Sequence, residues 1–513
     1  MDHISSSQRN QIYMCSLDES ISTDHPLRFI DAFVEKLDLP QLKFVINSLK
    51  KEGRPSYDSR IFLKLYFYGY LNGIRSSRRL EKECERNIEL HWLMSKLTPN
   101  YHSIADFRKD NPQALRNTFK LFVSFLKNAG MISGATIAVD GTKMRAHNSK
   151  KNNYSPSKIA RHLKYIEEKT NEYMEALDQN DKNETLTKIN NVAEKIAHLK
   201  KNKIKYEMLS ASLERSGSTQ VSTTDPDSRA LLVQGQVVEV SYNMQAAVDE
   251  KYKLVVATHT INRNDRNALY SISKEAKDNL QGDALTVLSD KGYHNGREIQ
   301  KCKDAGISTI CASSEIVNSN EKGTTPDYLV TKFEYNPSED TYICPQGAVL
   351  KTQGTWHKKT RSRDSNQFKK YRTPQCNRCA VKNLCTGRAK GGREIERSEF
   401  AEAVEANNSR YKNNKDLYRK RQEWNEHIFG TIKRKWGYNH TNLIGLSKVN
   451  GEFALIMTVY NMKRCMNILG IEDLLKKIKK WVPNYKGITF SFLKTRPLER
   501  LQEIPFLPIK LAA

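Results

Sequence analysis

The sequence has no apolar run that approaches the ~20 consecutive residues a bilayer-spanning helix requires, with 38% hydrophobic residues spread over 513 positions. Its opening, Met1-Asp2-His3-Ile4-Ser5, lacks the basic-then-apolar order of a secretory signal, so a soluble cytoplasmic protein is expected. Cysteine is sparse, at nine residues, and without an export signal these argue against a disulfide framework. Acidic residues are also in deficit: 58 Asp and Glu face 84 Lys and Arg, a formal charge of +26. That surplus points to a polyanionic partner. Nucleic acid is favoured over an anionic membrane because no strongly amphipathic basic terminus stands out.

What is present suffices for a folded core. The length allows two to four domains, and the aromatic share of 9% argues against wholesale disorder. Residues 1–24 are polar and expected to be flexible, with Asp24 a candidate helix cap. A helical pattern follows, with Leu27, Ile30, Phe33 and Val34 on one face. Gly53-Arg54-Pro55 breaks it. Ile61 to Leu71 is apolar nearly all round and predicts a buried helix, followed by Arg75, Arg78 and Arg79. Residues 25–130 therefore read as an all-helical, basic, DNA-binding domain.

The period then changes to that of strands. Thr136 to Asp140 closes on a carboxylate and Gly141; further strands are expected over Val237–Asp249, Leu254–Thr258, Ala284–Asp290 and Ser308–Cys311. With a helix capped by Asp265 and running to about Leu280, and another near 296–305, this predicts an α/β fold with a mixed sheet over residues 131–475. Two insertions are expected within it: a Lys/Glu-rich helical hairpin in 150–236 and a polar, cysteine-bearing stretch in 315–395. Helices near 398–412, 416–437 and 451–469 follow, and 476–513 reads as a tail.

Asp140 and Asp290 each end a strand. If the strands are parallel neighbours, their ends bring the two carboxylates together, a site suited to a hard cation such as Mg²⁺. Glu423 or Glu426 on a later helix could add a third acid, and such a set supports phosphodiester cleavage. Helix-capping aspartates are the alternative. Asp249 is explained by a hairpin turn.

Val139-Asp140-Gly141-Thr142-Lys143, Asp290-Lys291-Gly292-Tyr293 and Asn425-Glu426-His427-Ile428-Phe429-Gly430 resemble the three signature blocks of bacterial insertion-sequence DDE transposases. Gly53-Arg54-Pro55-Ser56-Tyr57, Gly73 to Arg78 and Ser103 to Arg108 resemble the InsH-type helical N-terminal domain of that family. The resemblance implies a ribonuclease-H-like catalytic core with Asp140, Asp290 and Glu426 as the triad, holding two Mg²⁺ (or Mn²⁺). It implies binding to double-stranded DNA at the element's inverted repeats, cleavage there, and joining of 3′-OH ends to target DNA by a homodimer. Tyr418, Glu426 and Lys433 match the family's Tyr-Arg-Glu-Lys signature, with Lys433 two helical turns after Glu426 and so expected on the same helix face; the arginine position is Gln422, with Arg421 one residue early. Tyr418, Arg421, Gln422, Lys433, Arg75, Arg78 and Arg79 are the expected DNA-contacting residues. A metal-dependent nuclease without strand transfer and a non-catalytic DNA-binding derivative remain the alternatives.

Four cysteines fall together: Cys344, then Cys376-x2-Cys379-x5-Cys385. Thiolates at this spacing can clasp one structural Zn²⁺, with His357 as a spare ligand. An iron–sulfur cluster and plain reduced thiols are the competing readings.

Overall fold

The structure, a computed structural model, describes residues 10–12, 14–45, 56–180, 186–233, 237–313, 324–358, 366–388 and 391–485. The expected break at Gly53-Arg54-Pro55 and the tail beyond 485 lie outside the described residues.

Six helices come first: α1 (Pro26–Glu35), α2 (Ser59–Leu71), α3 (Ser77–Arg86), α4 (Ile88–Leu93), α5 (Tyr101–Asp110) and α6 (Pro112–Asn128). Side chains cap several of them: Asp58 accepts from Arg60 N–H, Asn87 from Glu89 N–H and Asn100 from Ser103 N–H. His25, not Asp24, caps α1 through Nδ1, because Pro26 fills the first helical position. Helix α2 is buried from Phe62 to Tyr70, as its apolar circumference requires. The stretch ahead of α1 is anchored where flexibility was expected. Ile21 is buried, and Asp18 accepts from Arg28 at 2.6 Å and from Trp92 Nε1 at 2.9 Å.

The main sheet starts with β1 (Thr136–Arg145). A short ribbon, β2 (Asn153–Tyr154) with β3 (Val221–Ser222), flanks the helical hairpin α7 (Pro156–Asn180) and α8 (Leu186–Ser216). A satellite core of Tyr154, Ile159 and Leu213 holds that hairpin. The sheet continues with β4 (Arg229–Val233), β5 (Val237–Asp249), β6 (Val255–Ile261), α9 (Leu269–Leu280), β7 (Leu285–Ser289), α10 (Gly296–Asp304) and β8 (Ile307–Cys311). Its order is β4-β5-β1-β7-β8, with β6 also on β5. β5 runs antiparallel to β1, β4 and β6, while β1, β7 and β8 are parallel. The mixed α/β sheet is as expected, but β4 belongs to it and not to an insertion reaching 236.

A second, wholly antiparallel sheet fills the cysteine-bearing region. It comprises β9 (Glu334–Asn336), β10 (Thr341–Ile343), β11 (Val349–Thr352), β12 (His357–Lys358), β13 (Gln367–Arg372) and, after the short α11 (Lys382–Cys385), β14 (Ile395–Ser398). Among the described residues, its core is Phe333, Tyr342, Leu350, Tyr371 and Ile395. Helices α12 (Ala401–Asn413), α13 (Lys415–Gly430), α14 (Leu446–Leu469) and α15 (Ile471–Lys480) complete the chain. The border expected at 476 falls inside α15, which buries Ile471, Leu474 and Ile478 and packs on α1. One continuous core joins α1 through α6, the main sheet, α14 and α15.

Candidate active site

Strands β1 and β7 are parallel, and their last paired residues are Val139 and Ser289. The next residue on each strand is an aspartate, so the pairing itself sets Asp140 beside Asp290. Asp290 ends β7 and caps the turn after it, its Oδ1 accepting from Gly292 N–H at 2.9 Å. Asp140 is not a strand end as expected: β1 runs on to Arg145, kept extended by β5 after β7 has stopped.

The Asp140 side chain is 31% exposed. Desolvation pushes its carboxyl up to about 6, against the Gly141 N–H and Arg421, while Asp290 and Asp265 push it further. Arg421 Nη1 stands 3.6 Å from Asp140 Oδ2, too long for a tight ion pair.

Asp265 was read only as a helix cap, yet it is the third carboxylate near Asp140. It accepts from Asn243 and Gln245 at 2.8 Å each and pairs with Lys143 at 3.0 Å. Burial would raise its carboxyl, but Lys143 and those two donors outweigh it and hold the group low. Gln245 in turn accepts from the buried Tyr293 hydroxyl. Gly141 lies against this cradle: an added Cβ would sit 2.7 Å from both Asn243 Oδ1 and Asp265 Oδ1 and closer to Gln245 Nε2. The only sequence signal for the cradle was polar residues at Asn243 and Gln245, two apart and so on one face of a strand.

Helix α13 packs across β1 and β7. Trp424, Asn425 and Ile428 are its buried residues, and Arg421 is its contact to Asp140. Glu426 is exposed and accepts from Gln422 Nε2 at 2.7 Å, one turn back on the outer face. Glu423 is also exposed. Among the described residues, no three His, Cys, Asp or Glu side chains are gathered as a metal centre.

The expected DNA-contacting residues are dispersed. Tyr418 packs edge-on to Tyr411, 4.8 Å between centroids, and lies under the Arg421 guanidinium. Arg78 and Arg79 are exposed, Arg78 lying over the Tyr101 ring at 5.0 Å. Arg75 departs from expectation: it is buried and bound to Glu452, so it presents no free guanidinium to a phosphate. Lys433 departs too. Residues Thr431–Lys435 form a π-helical turn, and the half-buried Lys433 ammonium donates to Thr142 Oγ1 at 3.0 Å and Lys143 O at 2.8 Å. The wider π turn spoils the regular helical count that would place Lys433 on the Glu426 face. Burial lowers its ammonium, with Lys143 adding to the effect and Glu239 opposing it. Asp249 is the turn residue expected, accepting from the N–H groups of Ser133, Gly134 and Lys251. The four clustered cysteines line a single cavity in the second sheet; His357 lies apart on the exposed β12.

Residues 15–110 match the family described as Transposase domain (DUF772), and residues 343–466 match the Transposase DDE domain. No curated protein and no solved structure matches the chain. Two transposase regions, in order at opposite ends of one core, place the chain among enzymes that move DNA. It is a DDE transposase of the insertion-sequence type. The DDE match contains Glu426, while Asp140 and Asp290 precede it. Enzymes of this class use a divalent ion, generally Mg²⁺. Asp140 and Asp290 suit one chemically, being adjacent oxygen donors of which one is desolvated and poorly neutralised. No helix among the described residues is long and apolar enough to cross a membrane.

Proposed function

We propose that this enzyme binds double-stranded DNA at the inverted-repeat ends of its own element, cuts there and joins the 3′-OH ends to target DNA. Asp140, Asp290 and Glu426 carry the chemistry, on a core of ribonuclease-H-like fold. The observation that supports this most is that Asp140 and Asp290 each follow the last β1–β7 partners, Val139 and Ser289, with the Asp140 carboxyl desolvated and pushed up to about 6. The strand order, three antiparallel neighbours followed by two parallel ones, supports the fold assignment.

Two Mg²⁺ ions held by the three acids would activate the attacking oxygen and stabilise the leaving one at a phosphodiester. Asp140 and Asp290 are fixed by the sheet and need no rearrangement. Glu426 must give up its Gln422 hydrogen bond to join the site. Arg421 balances charge at Asp140, and the Lys143–Asp265 pair keeps β1 in place beneath it. A homodimer is expected because two element ends must be handled together. The exposed Arg78 and Arg79 supply phosphate affinity without sequence reading.

The test uses end DNA with Mg²⁺ and the full chain. Asp140→Asn, Asp290→Asn and Glu426→Gln should each abolish cleavage and retain a gel shift, with Glu423→Gln active. A dead Glu423→Gln beside an active Glu426→Gln would transfer the third-acid role to Glu423. Cleavage without any joined product, using pre-cut ends and target, would reduce the enzyme to a nuclease.

A further inference from the structure

We propose that Cys344, Cys376, Cys379 and Cys385 form a structural Zn²⁺ site that holds the second sheet together. This does not depend on the chemistry assigned to the aspartates. The four residues come from three separate segments, the Cys344 turn, the Cys376–Cys379 turn and the end of α11, yet all line one cavity of about 190 Å³. The four cysteines are half-buried and unpaired, so none is spent on a disulfide.

Local geometry supports ligation in three ways. Cys344 opens a tight turn in which Gly347 N–H donates to Cys344 O at 2.8 Å and Ala348 N–H donates to Cys344 Sγ at 3.3 Å. Gly347 takes φ +79°, which brings the Ala348 amide round to the sulfur, and an amide aimed at sulfur favours the thiolate a metal needs. Secondly, Gly392 runs so close to Cys376 Cβ that no side chain fits there, locking the Cys376 turn to the strand end that follows. Thirdly, Arg393 is 5% exposed and donates to Cys385 O at 3.4 Å. Four thiols binding Zn²⁺ release four protons and leave a centre of net charge −2, which a buried guanidinium complements.

Need points the same way. A six-stranded sheet whose core cluster, among the described residues, is five buried side chains has little apolar area to offset the ordering of its loops. Metal binding supplies folding free energy where a core cannot. The thiols ring the cavity without converging to a finished centre. Zn–S bonds of about 2.3 Å would draw the Cys344 turn and α11 inward across it.

Elemental analysis of the full-length protein, purified without added metal or chelator, should find about one Zn per chain. Cys376→Ser with Cys379→Ser should bring this below about a tenth, and Cys15→Ser, at an exposed cysteine outside the cluster, should leave it unchanged. Should the double variant fail to fold, wild type exchanged with Co²⁺ provides the second reading, since tetrahedral thiolate cobalt absorbs strongly in the visible. Metal-free wild type with a normal melting transition would overturn the proposal. So would disulfides among the four cysteines, detected by thiol labelling and mass analysis, or a bound iron–sulfur chromophore.

Discussion

Arg75 and Glu452 lie 377 residues apart in sequence, and their side chains meet at 2.7 Å inside the core. Glu452 is 1% exposed and also accepts from Tyr70 Oη and from the N–H groups of Asn442 and Leu443. Arg75 donates in addition to His440 O and lies over the Tyr438 ring. The pair thus bolts the loop after α2 to α14, joining the two regions that match transposase families.

Removing one member should unfold more than removing both. Glu452→Ala leaves Arg75 buried without its counter-charge, a loss of about 3–5 kcal/mol in urea denaturation. Arg75→Met with Glu452→Leu should recover most of it. Burial would raise the Glu452 carboxyl, but Arg75 and Arg108 outweigh it and hold the group low. The pair's contribution is therefore complete above the ordinary glutamate range and drains away as pH falls below it.

Gly141→Ala should inactivate the enzyme while every acid remains. The added methyl has no room among Asn243, Gln245 and Asp265, so the cradle beside Asp140 must open. A stability loss of about 1–3 kcal/mol should accompany it. Normal cleavage by this variant would show that the cradle does not position Asp140.

Lys433 and Lys435 should separate in a salt titration of DNA binding. Lys435 is exposed, and Lys435→Ala should lower the salt slope by about one phosphate contact. Lys433 is committed to Thr142 and Lys143, so Lys433→Ala should leave the slope alone and cost about 1 kcal/mol of stability. A slope change from Lys433→Ala equal to that from Lys435→Ala would return Lys433 to the DNA surface.

His259 gives the fold a pH dependence. Burial lowers its imidazole to about 4, against Glu275 and with help from Arg116 and Arg263. The unfolded chain takes up this proton near 6.5 and the folded chain only near 4, so stability is lost as pH falls between the two. The loss should total about 3 kcal/mol, and His259→Gln should flatten that part of the profile.

Much of the main sheet was readable because its strands are long apolar runs bounded by turns, and the parallel pairing of β1 with β7 stops one residue short of both aspartates. What escaped has physical causes. The contact of Arg75 with Glu452 carries no local signal, and a row of arginines after a buried helix looks the same whether one turns inward or not. Asp265 looked like a cap because its site is made by residues on β5, some twenty positions earlier. The second sheet uses strands of two to six residues with no sustained alternation. The π turn at Thr431–Lys435 invalidated a helical count that was correct for an α-helix.

Helix α14 is buried continuously from Val449 to Met462 and touches α2, α5, α6, α15 and β6. It is thus the shared keel of the N-terminal helices and the sheet, although it follows both in chain order. A gene copy with a stop codon ahead of Leu446 would leave the inner faces of α2, α6 and β6 uncovered. Such a decayed copy would yield no surviving DNA-binding fragment able to compete with the intact enzyme, only a chain open to proteolysis.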